Sequence, residues 1–437
     1  MSEMNGMYKL PEAFIERMKN QLPNDEWEAF FAVYEKDAYK GLRANTLKIT
    51  PKKLSEIFSV QKQVPWEENG FYYEGGKVGA HPYHAAGLFY SQEPSAMCAA
   101  PMLSVEPGER VLDLCSAPGG KGTRLAADLQ GEGLIVLNEP IPSRAKILLQ
   151  NVERMGITNA VVTCEYPDKL AERFAGYFDK IMVDAPCSGE GMFRKNAEEA
   201  LTEWSEENVA LCAERQSGIL NCAERMLAEN GKLVYSTCTF SDEEDEGQAQ
   251  DFLRKHPEMS METKEKLYPH KVEGEGHFAA RFSKNGGGRC EMKPFKTVCS
   301  PAAAKVYRAF EKEVFVGFQA RNLHEVNGTI YAIPDGMFDF KGLNVLRVGL
   351  KLGEVRNGRF EPEYALAMAS TAKGVRNVAD FTVDDARAQK YLRGETVDCD
   401  GNNGWCLVCV DGYPLGWGKR VNGTLKNHYP KGLRLHI

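Results

Sequence analysis

The chain has no apolar run long enough to span a bilayer, and its first stretch, Met1–Lys19, has no signal-peptide core. These absences predict a cytoplasmic protein with no membrane partner. Its twelve cysteines are scattered and fit no disulfide framework, so most are expected to be reduced. Cys406-Leu-Val-Cys409 is a lone CxxC with no second pair at zinc-site spacing, and no metal is expected there. There is no internal repeat, and nothing in the sequence demands an oligomer, so a monomer is expected. An overall basic excess is missing too: the net charge is −7.

That charge is unevenly spread. From residue 300 onward nineteen Lys and Arg face fifteen Asp and Glu, leaving residues 1–299 at −11. From Gly412 onward there are five basic residues and no acidic one. Arg281–Lys296 adds another five basic residues against Glu291 alone. A local basic surface counts for more than the total in phosphate binding, although a solvated charged face would read the same way.

What is present is ordinary globular composition, 43% hydrophobic and 26% charged, with length for several domains. Residues 1–105 read as a small mixed α+β domain. In it Pro11–Tyr34 has helical spacing, Gly41–Lys48 reads as strand and turn, and Phe71–Tyr73 and Leu88–Tyr90 are short aromatic strands. Residues 106–284 alternate strand and helix. Strands are predicted at Arg110–Leu114, Gly133–Asn138, Ala160–Thr163, Lys180–Asp184 and Lys232–Tyr235, and helices at Ile141–Met155, Asn208–Leu227 and Glu243–Lys255. This alternation predicts a doubly wound, Rossmann-like α/β sheet. Asn285–Gly288 marks a boundary to a linker and first carboxyl-terminal domain (285–365), with a helix over Pro301–Phe315 and a strand over Arg347–Glu354. Residues 366–437 carry short apolar runs broken by Asp411-Gly412 and Asn422-Gly423, the pattern of a small β-rich module.

Two cysteines stand in unusual settings. Cys187 sits in Asp184-Ala-Pro-Cys-Ser-Gly-Glu-Gly191 and Cys238 in Tyr235-Ser-Thr-Cys-Thr-Phe240, each just after a short apolar run. Such runs read as buried parallel strands, and one sheet would bring both thiols to its carboxyl edge, where open α/β folds bind ligands. An arbitrary cysteine after a buried strand is a small core residue. A pair beside a glycine-rich loop points instead to nucleophilic chemistry.

That loop runs from Val111 to Thr123 and joins a strand to a helix. Its small residues let backbone N–H groups approach a ligand. Gly122 follows Lys121 where a P-loop needs Ser or Thr, Cys115 takes the place of the first glycine, and GxGxxG is absent. S-adenosylmethionine is the remaining cofactor, with Glu139 at the end of the second strand placed to accept ribose hydroxyls. A bare structural turn is the plain alternative.

The loop, Glu139, the Cys187 motif and the Cys238 motif, in that order, resemble the Sun-type RNA cytosine-C5 methyltransferases. Arg43–Lys48, Ser91–Met97, Pro269-His270 and Gly274–Phe278 match further segments of that family, so the resemblance covers most of the chain. Asn427–Arg434 is similar to the end of the carboxyl-terminal extension of its RsmF-type bacterial ribosomal RNA subgroup. The resemblance implies methylation of cytosine C5 in small-subunit ribosomal RNA, free or in an assembling subunit, with a PUA-like RNA-binding module at the carboxyl end. It implies Cys238 as the nucleophile that adds to C6 of the base, and Cys187 as the thiol linked to breakdown of the adduct. Asp184 would hydrogen-bond the cytosine ring and Lys121 would contact the base or hold a thiolate. The cofactor would lie on Cys115, Ser116, Ala117, Pro118, Gly119, Gly120, Lys121, Glu139 and Asp184. Arg144 is placed to reach cofactor or RNA, or simply an exposed helix face. The family carries an Asp after the third strand, facing adenine; here Thr163-Cys-Glu-Tyr-Pro-Asp168 stands, with Glu165 the expected substitute and Tyr166 nearby. The same reaction on transfer RNA, or a ribosome-assembly RNA-binding protein with secondary activity, are the alternatives. A DNA enzyme would carry PCQ where Ser188 follows Cys187, and amino-nitrogen methylation would need a DPPY-type motif.

Overall fold

The computed structural model describes residues 9–435, so the first eight residues of the Met1–Lys19 stretch lie outside it. Its centre is an eight-stranded sheet. In chain order the strands are β1 (Arg110–Asp113), β2 (Leu134–Asn138), β3 (Ala160–Thr163), β4 (Phe178–Asp184), β5 (Leu227–Thr237), β6 (Met259–Leu267), β7 (His277–Lys284) and β8 (Val345–Val348). They lie in the order β8-β3-β2-β1-β4-β5-β7-β6. The strands from β3 to β5 run parallel, whereas β7, β6 and β8 pair antiparallel.

The parallel strands are continuous apolar runs because both of their faces are covered. Leu134, Ile135, Val136 and Leu137 are all buried. Helices α1 (Gly120–Asp128), α2 (Pro142–Arg154) and α3 (Glu206–Met226) are among those that cover them. Ser205 caps α3 by accepting from the Asn208 N–H, and Glu206 and Glu207 complement the positive end of the helix dipole. Its Ile219, Leu220 and Ala223 join Phe178, Phe252 and Phe282 in the largest apolar cluster. Truncating Leu220 to Ala there would cost about 2–5 kcal/mol.

Gly41–Ala44 is the middle strand of a three-stranded amino-terminal sheet. Its Arg43 is buried and crosses to the catalytic sheet's first helix, donating to the Gly120 carbonyl and, at 2.9 Å, to Thr123 Oγ1. The carboxyl-terminal part holds a four-stranded and a five-stranded sheet. The second lies between Val378 and Asn427.

Two sequence expectations change. Pro11–Tyr34 is not one helix: Glu12–Gln21 ends at the extended Leu22-Pro23, and short helical turns follow. Arg347–Glu354 is not one strand. Gly349, at φ +62° and so close to the Ala332 carbonyl that a Cβ would lie 2.4 Å from it, turns the chain. Val345–Val348 therefore becomes β8 on the catalytic sheet, and Leu350–Arg356 enters the four-stranded sheet. Strand β6 has no apolar signal because Ser260, Glu262, Lys264 and Lys266 charge or hydrate an edge, as edge strands require. Cys406 and Cys409 are three apart on one strand, so they face opposite sides of the sheet and enter different apolar clusters.

Candidate active site

β1, β4 and β5 are neighbours, so their carboxyl ends bring the loop, Asp184 and Cys238 together. The loop after β1 is pinned from below. The Leu114 N–H donates to the Met182 carbonyl at 2.9 Å, and the Ser116 N–H to the Asn138 carbonyl at 2.8 Å. Ser116 Oγ donates to buried Asp113 at 2.7 Å, and burial pushes the Asp113 carboxyl up to about 7. Gly122 lets α1 approach: a Cβ there would stand 2.6 Å from both Leu137 Cδ2 and Ser116 Oγ. Arg144 braces the loop from α2, donating to the Ala117 carbonyl at 3.1 Å and reaching the buried Glu139 carboxylate at 3.5 Å.

Lys121, on the first turn of α1, is buried, and its Nζ lies 2.8 Å from Asp184 Oδ1. Ser236 Oγ donates to the same carboxylate at 2.8 Å. Burial opposes the charged form of Asp184, but Lys121 and these hydrogen bonds outweigh it and hold the carboxyl below its usual range. Burial likewise opposes the Lys121 charge, and Asp184 outweighs it, so that ammonium is held above its usual range.

The two thiols meet across the ends of β4 and β5. Cys187 Sγ and Cys238 Sγ are 3.3 Å apart, and the Cys238 N–H points at Cys187 Sγ at 3.4 Å. The hydrogen bond with Cys238, with burial behind it, pushes the Cys187 thiol well above its ordinary range. Buried Glu244 fastens the Cys187 loop, accepting from the Ser188 N–H at 3.0 Å and from Gln216 at 2.8 Å. Gln216 in turn donates to the Pro186 carbonyl at 3.0 Å.

All of this opens on one cavity of about 1000 Å³. One end is lined by Ile141, Tyr166 and Pro167, the middle by Glu139 and the loop, and the other end by Lys121, Asp184, Cys187 and Cys238. Of the residues expected to touch cofactor, Cys115, Ser116, Ala117, Pro118, Gly120, Lys121, Glu139 and Asp184 line it; Gly119 turns the backbone behind it at φ +111°. Glu165 departs from its expected place. Its Oε1 accepts from Lys169 at 2.7 Å and from the Asn344 N–H at 2.5 Å, which ties it to the carboxyl-terminal segment, and it does not line the cavity. Tyr166, 70% exposed, lines the cavity in its stead. The donor set fits S-adenosylmethionine: an apolar slot for a base, a strand-end carboxylate for a ribose, and a polar loop for a charged tail.

Sequence reasoning gave no role to Arg43, Glu244, Gln216, Ser236 or His277. Arg43 and His277 fall inside matched motifs, which was their signal. Glu244 and Gln216 are polar residues at buried helix or turn positions, and nothing local marks them.

Comparison with known proteins covers the whole fold. The family model "16S rRNA methyltransferase RsmB/F" matches residues 100–283. The RsmF amino-terminal domain matches 10–94, the RsmF first carboxyl-terminal domain 309–369, and the RsmF PUA domain 378–435. Ribosomal RNA small subunit methyltransferase F of Klebsiella pneumoniae is 31% identical, over 98% of this chain and 97% of the relative. The protein of that name from Vibrio campbellii is 30% identical, over 97% of each chain. Among solved structures, a methyltransferase homologue from Pyrococcus horikoshii is 26% identical with a TM-score of 0.55, over 63% of this chain and 100% of its own. NSun6 from the same organism, solved with SFG, is 21% identical with a TM-score of 0.56, over 63% of this chain and 99% of its own, which bears on the fold alone.

Proposed function

Because the chain belongs to the RsmF family of 16S ribosomal RNA methyltransferases, which use S-adenosylmethionine, we propose that it methylates C5 of a cytosine in 16S ribosomal RNA through a covalent adduct on Cys238. The observation that carries the reading is the thiol pair, 3.3 Å apart, in the same cavity as the Lys121–Asp184 pair and the loop after β1.

Cytosine C5 is a poor nucleophile until a thiolate adds to C6 and makes the C5–C6 unit an enamine. The loop after β1, Ile141 and Tyr166 would hold S-adenosylmethionine, which would supply an electrophilic methyl group. Cys238, just after the end of β5 in the motif that carries the family's nucleophile, is the sulfur that attacks, with Cys187 beside it. Asp184, fixed by Lys121 and Ser236, would hydrogen-bond the ring edge, and a proton from solvent would neutralise N3 as C6 is attacked. A solvent base then takes the C5 proton, its electron pair re-forms the C5–C6 double bond, and the Cys238 thiolate is expelled, with Cys187 beside it to assist release. A base reaches this depth only when flipped out of any stack.

Residues 1–105 and 366–437 flank the catalytic sheet's domain as the surfaces that grip RNA, their basic residues on phosphates and their aromatic rings on unpaired bases. No helix among the described residues is long and apolar enough to cross a membrane. We place the enzyme in the cytoplasm, acting as a monomer without a metal.

Bisulfite sequencing of ribosomal and transfer RNA from a strain lacking the gene tests this reading. Loss of a ribosomal cytosine mark is expected. Loss confined to transfer RNA would move the substrate, and no loss in either would overturn C5 chemistry.

A further inference from the structure

His277 begins β7, its successor Phe278 pairs with Thr237 next to Cys238, and its imidazole is close enough to Lys121 and Asp184 to feel both charges. It is 1% exposed, yet it lines the cavity. Neither ring nitrogen has a hydrogen-bond partner among the described residues. A buried polar side chain without partners carries an uncompensated desolvation cost, and such groups call for an explanation. The buried polar groups it stands among do have partners: Lys121 with Asp184, Asp184 with Ser236, Cys187 with Cys238.

We propose that His277 is a substrate-contacting residue whose imidazole hydrogen-bonds the polar edge of the flipped pyrimidine. The inference rests on the C5 reading above.

Electrostatics separates this role from that of a general base. Burial, reinforced by the Lys121 ammonium and only partly offset by Asp184, pushes the imidazole down to about 3. The ring is therefore neutral, and accepting the C5 proton would set a second cation beside Lys121. A neutral imidazole offers one N–H and one lone pair at every working pH. Asp184, held ionised, accepts hydrogen bonds only, which suits the amino group of cytosine and repels the O4 of uracil. His277 supplies the donor that Asp184 cannot. Attack at C6 drives negative charge onto N3 and O2, so a donor aimed at that edge binds more tightly in the transition state than in the ground state. Its loss should lower kcat more than it raises KM.

His277→Phe keeps the planar bulk and removes both nitrogens; His277→Gln keeps a donor and an acceptor. The test uses the full chain and its ribosomal RNA substrate, with melting temperature measured beside single-turnover rates. Nucleoside mass spectrometry of the parent's product is read first: a product other than 5-methylcytosine overturns the C5 reading whatever the variants do. Given 5-methylcytosine, the Phe variant should melt at or above the parent temperature, while its methyl-transfer rate falls roughly tenfold to a hundredfold with KM little changed. The Gln variant should recover part of that rate. A Phe variant within about twofold of the parent rate would overturn the proposal. So would Phe and Gln variants that lose stability and rate together, because that is what a merely structural histidine predicts. If the Phe variant does not fold, His277→Leu is read by the same criteria.

Discussion

The sulfur of Cys187 lies 3.3 Å from the sulfur of Cys238, although the two are fifty-one positions apart in the sequence. The pairing of β4 with β5 brings them together, and Glu244 with Gln216 holds the Cys187 loop against its neighbour. The two thiols hold different positions: Cys187 lies on the loop after β4, and Cys238 just follows the end of β5. Cys187→Ala should therefore form the bond to RNA and fail to release it. A protein–RNA band that survives denaturation is the expected result, seen on a gel with labelled RNA. Cys238→Ala should give no such band and no turnover. A Cys238→Ala enzyme with full turnover would remove the covalent mechanism.

Asp184 depends on Lys121 for its ionised form. Asp184→Asn should keep most of the cavity wall and lose about a hundredfold or more in kcat. Calorimetry should still register cofactor binding, weakened by less than the rate. Lys121→Met leaves the carboxylate with Ser236 alone, and its turnover should fall by at least about tenfold, read in the same single-turnover assay.

Glu244 predicts a pH dependence of stability. Burial, working against the hydrogen bonds from Ser188 and Gln216, raises its carboxyl from an ordinary 4.5 to about 7. Between those values the folded protein keeps a proton that the unfolded chain has released. The contribution is thus full below about pH 4.5 and lost as pH rises to 7. Gln mimics the protonated acid and does not titrate. Between pH 5 and pH 8, chemical unfolding should show Glu244→Gln gaining on the parent by up to about 3 kcal/mol. A constant gap across that range would show that Glu244 does not hold the proton.

The adenine end of the cavity separates two neighbours. Tyr166→Ala removes an exposed ring from the slot and should weaken S-adenosylmethionine binding by about tenfold, measured by calorimetry. Glu165→Ala should change cofactor affinity less than it changes melting temperature, because its carboxylate serves Lys169 and Asn344.

Much of the catalytic sheet was legible because its parallel strands are apolar on both faces and alternate with amphipathic helices. The loop, Glu139 and both cysteines were legible as motifs. The tie of Glu165 to Asn344 was not legible, because Asn344 comes from a segment far along the chain that sequence pattern cannot put beside it. β6 was missed since a charged edge looks like a loop, and the Arg347–Glu354 run was read as one strand since only tertiary packing shows Gly349 turning. His277 lay inside a matched motif, but what sets it apart is the absence of hydrogen-bond partners among the described residues, which is a property of three-dimensional surroundings.

β8 pairs with β3, and Asn344 meets Glu165 although 179 positions separate them in the sequence. That contact has a consequence for synthesis. A ribosome making this protein releases the first seven strands of the sheet well before β8 emerges. Until then β3 is an open edge, with unpaired backbone groups able to recruit another strand. The nascent catalytic unit passes through a stage in which its sheet is one strand short, and the arrival of the carboxyl-terminal segment is what closes it.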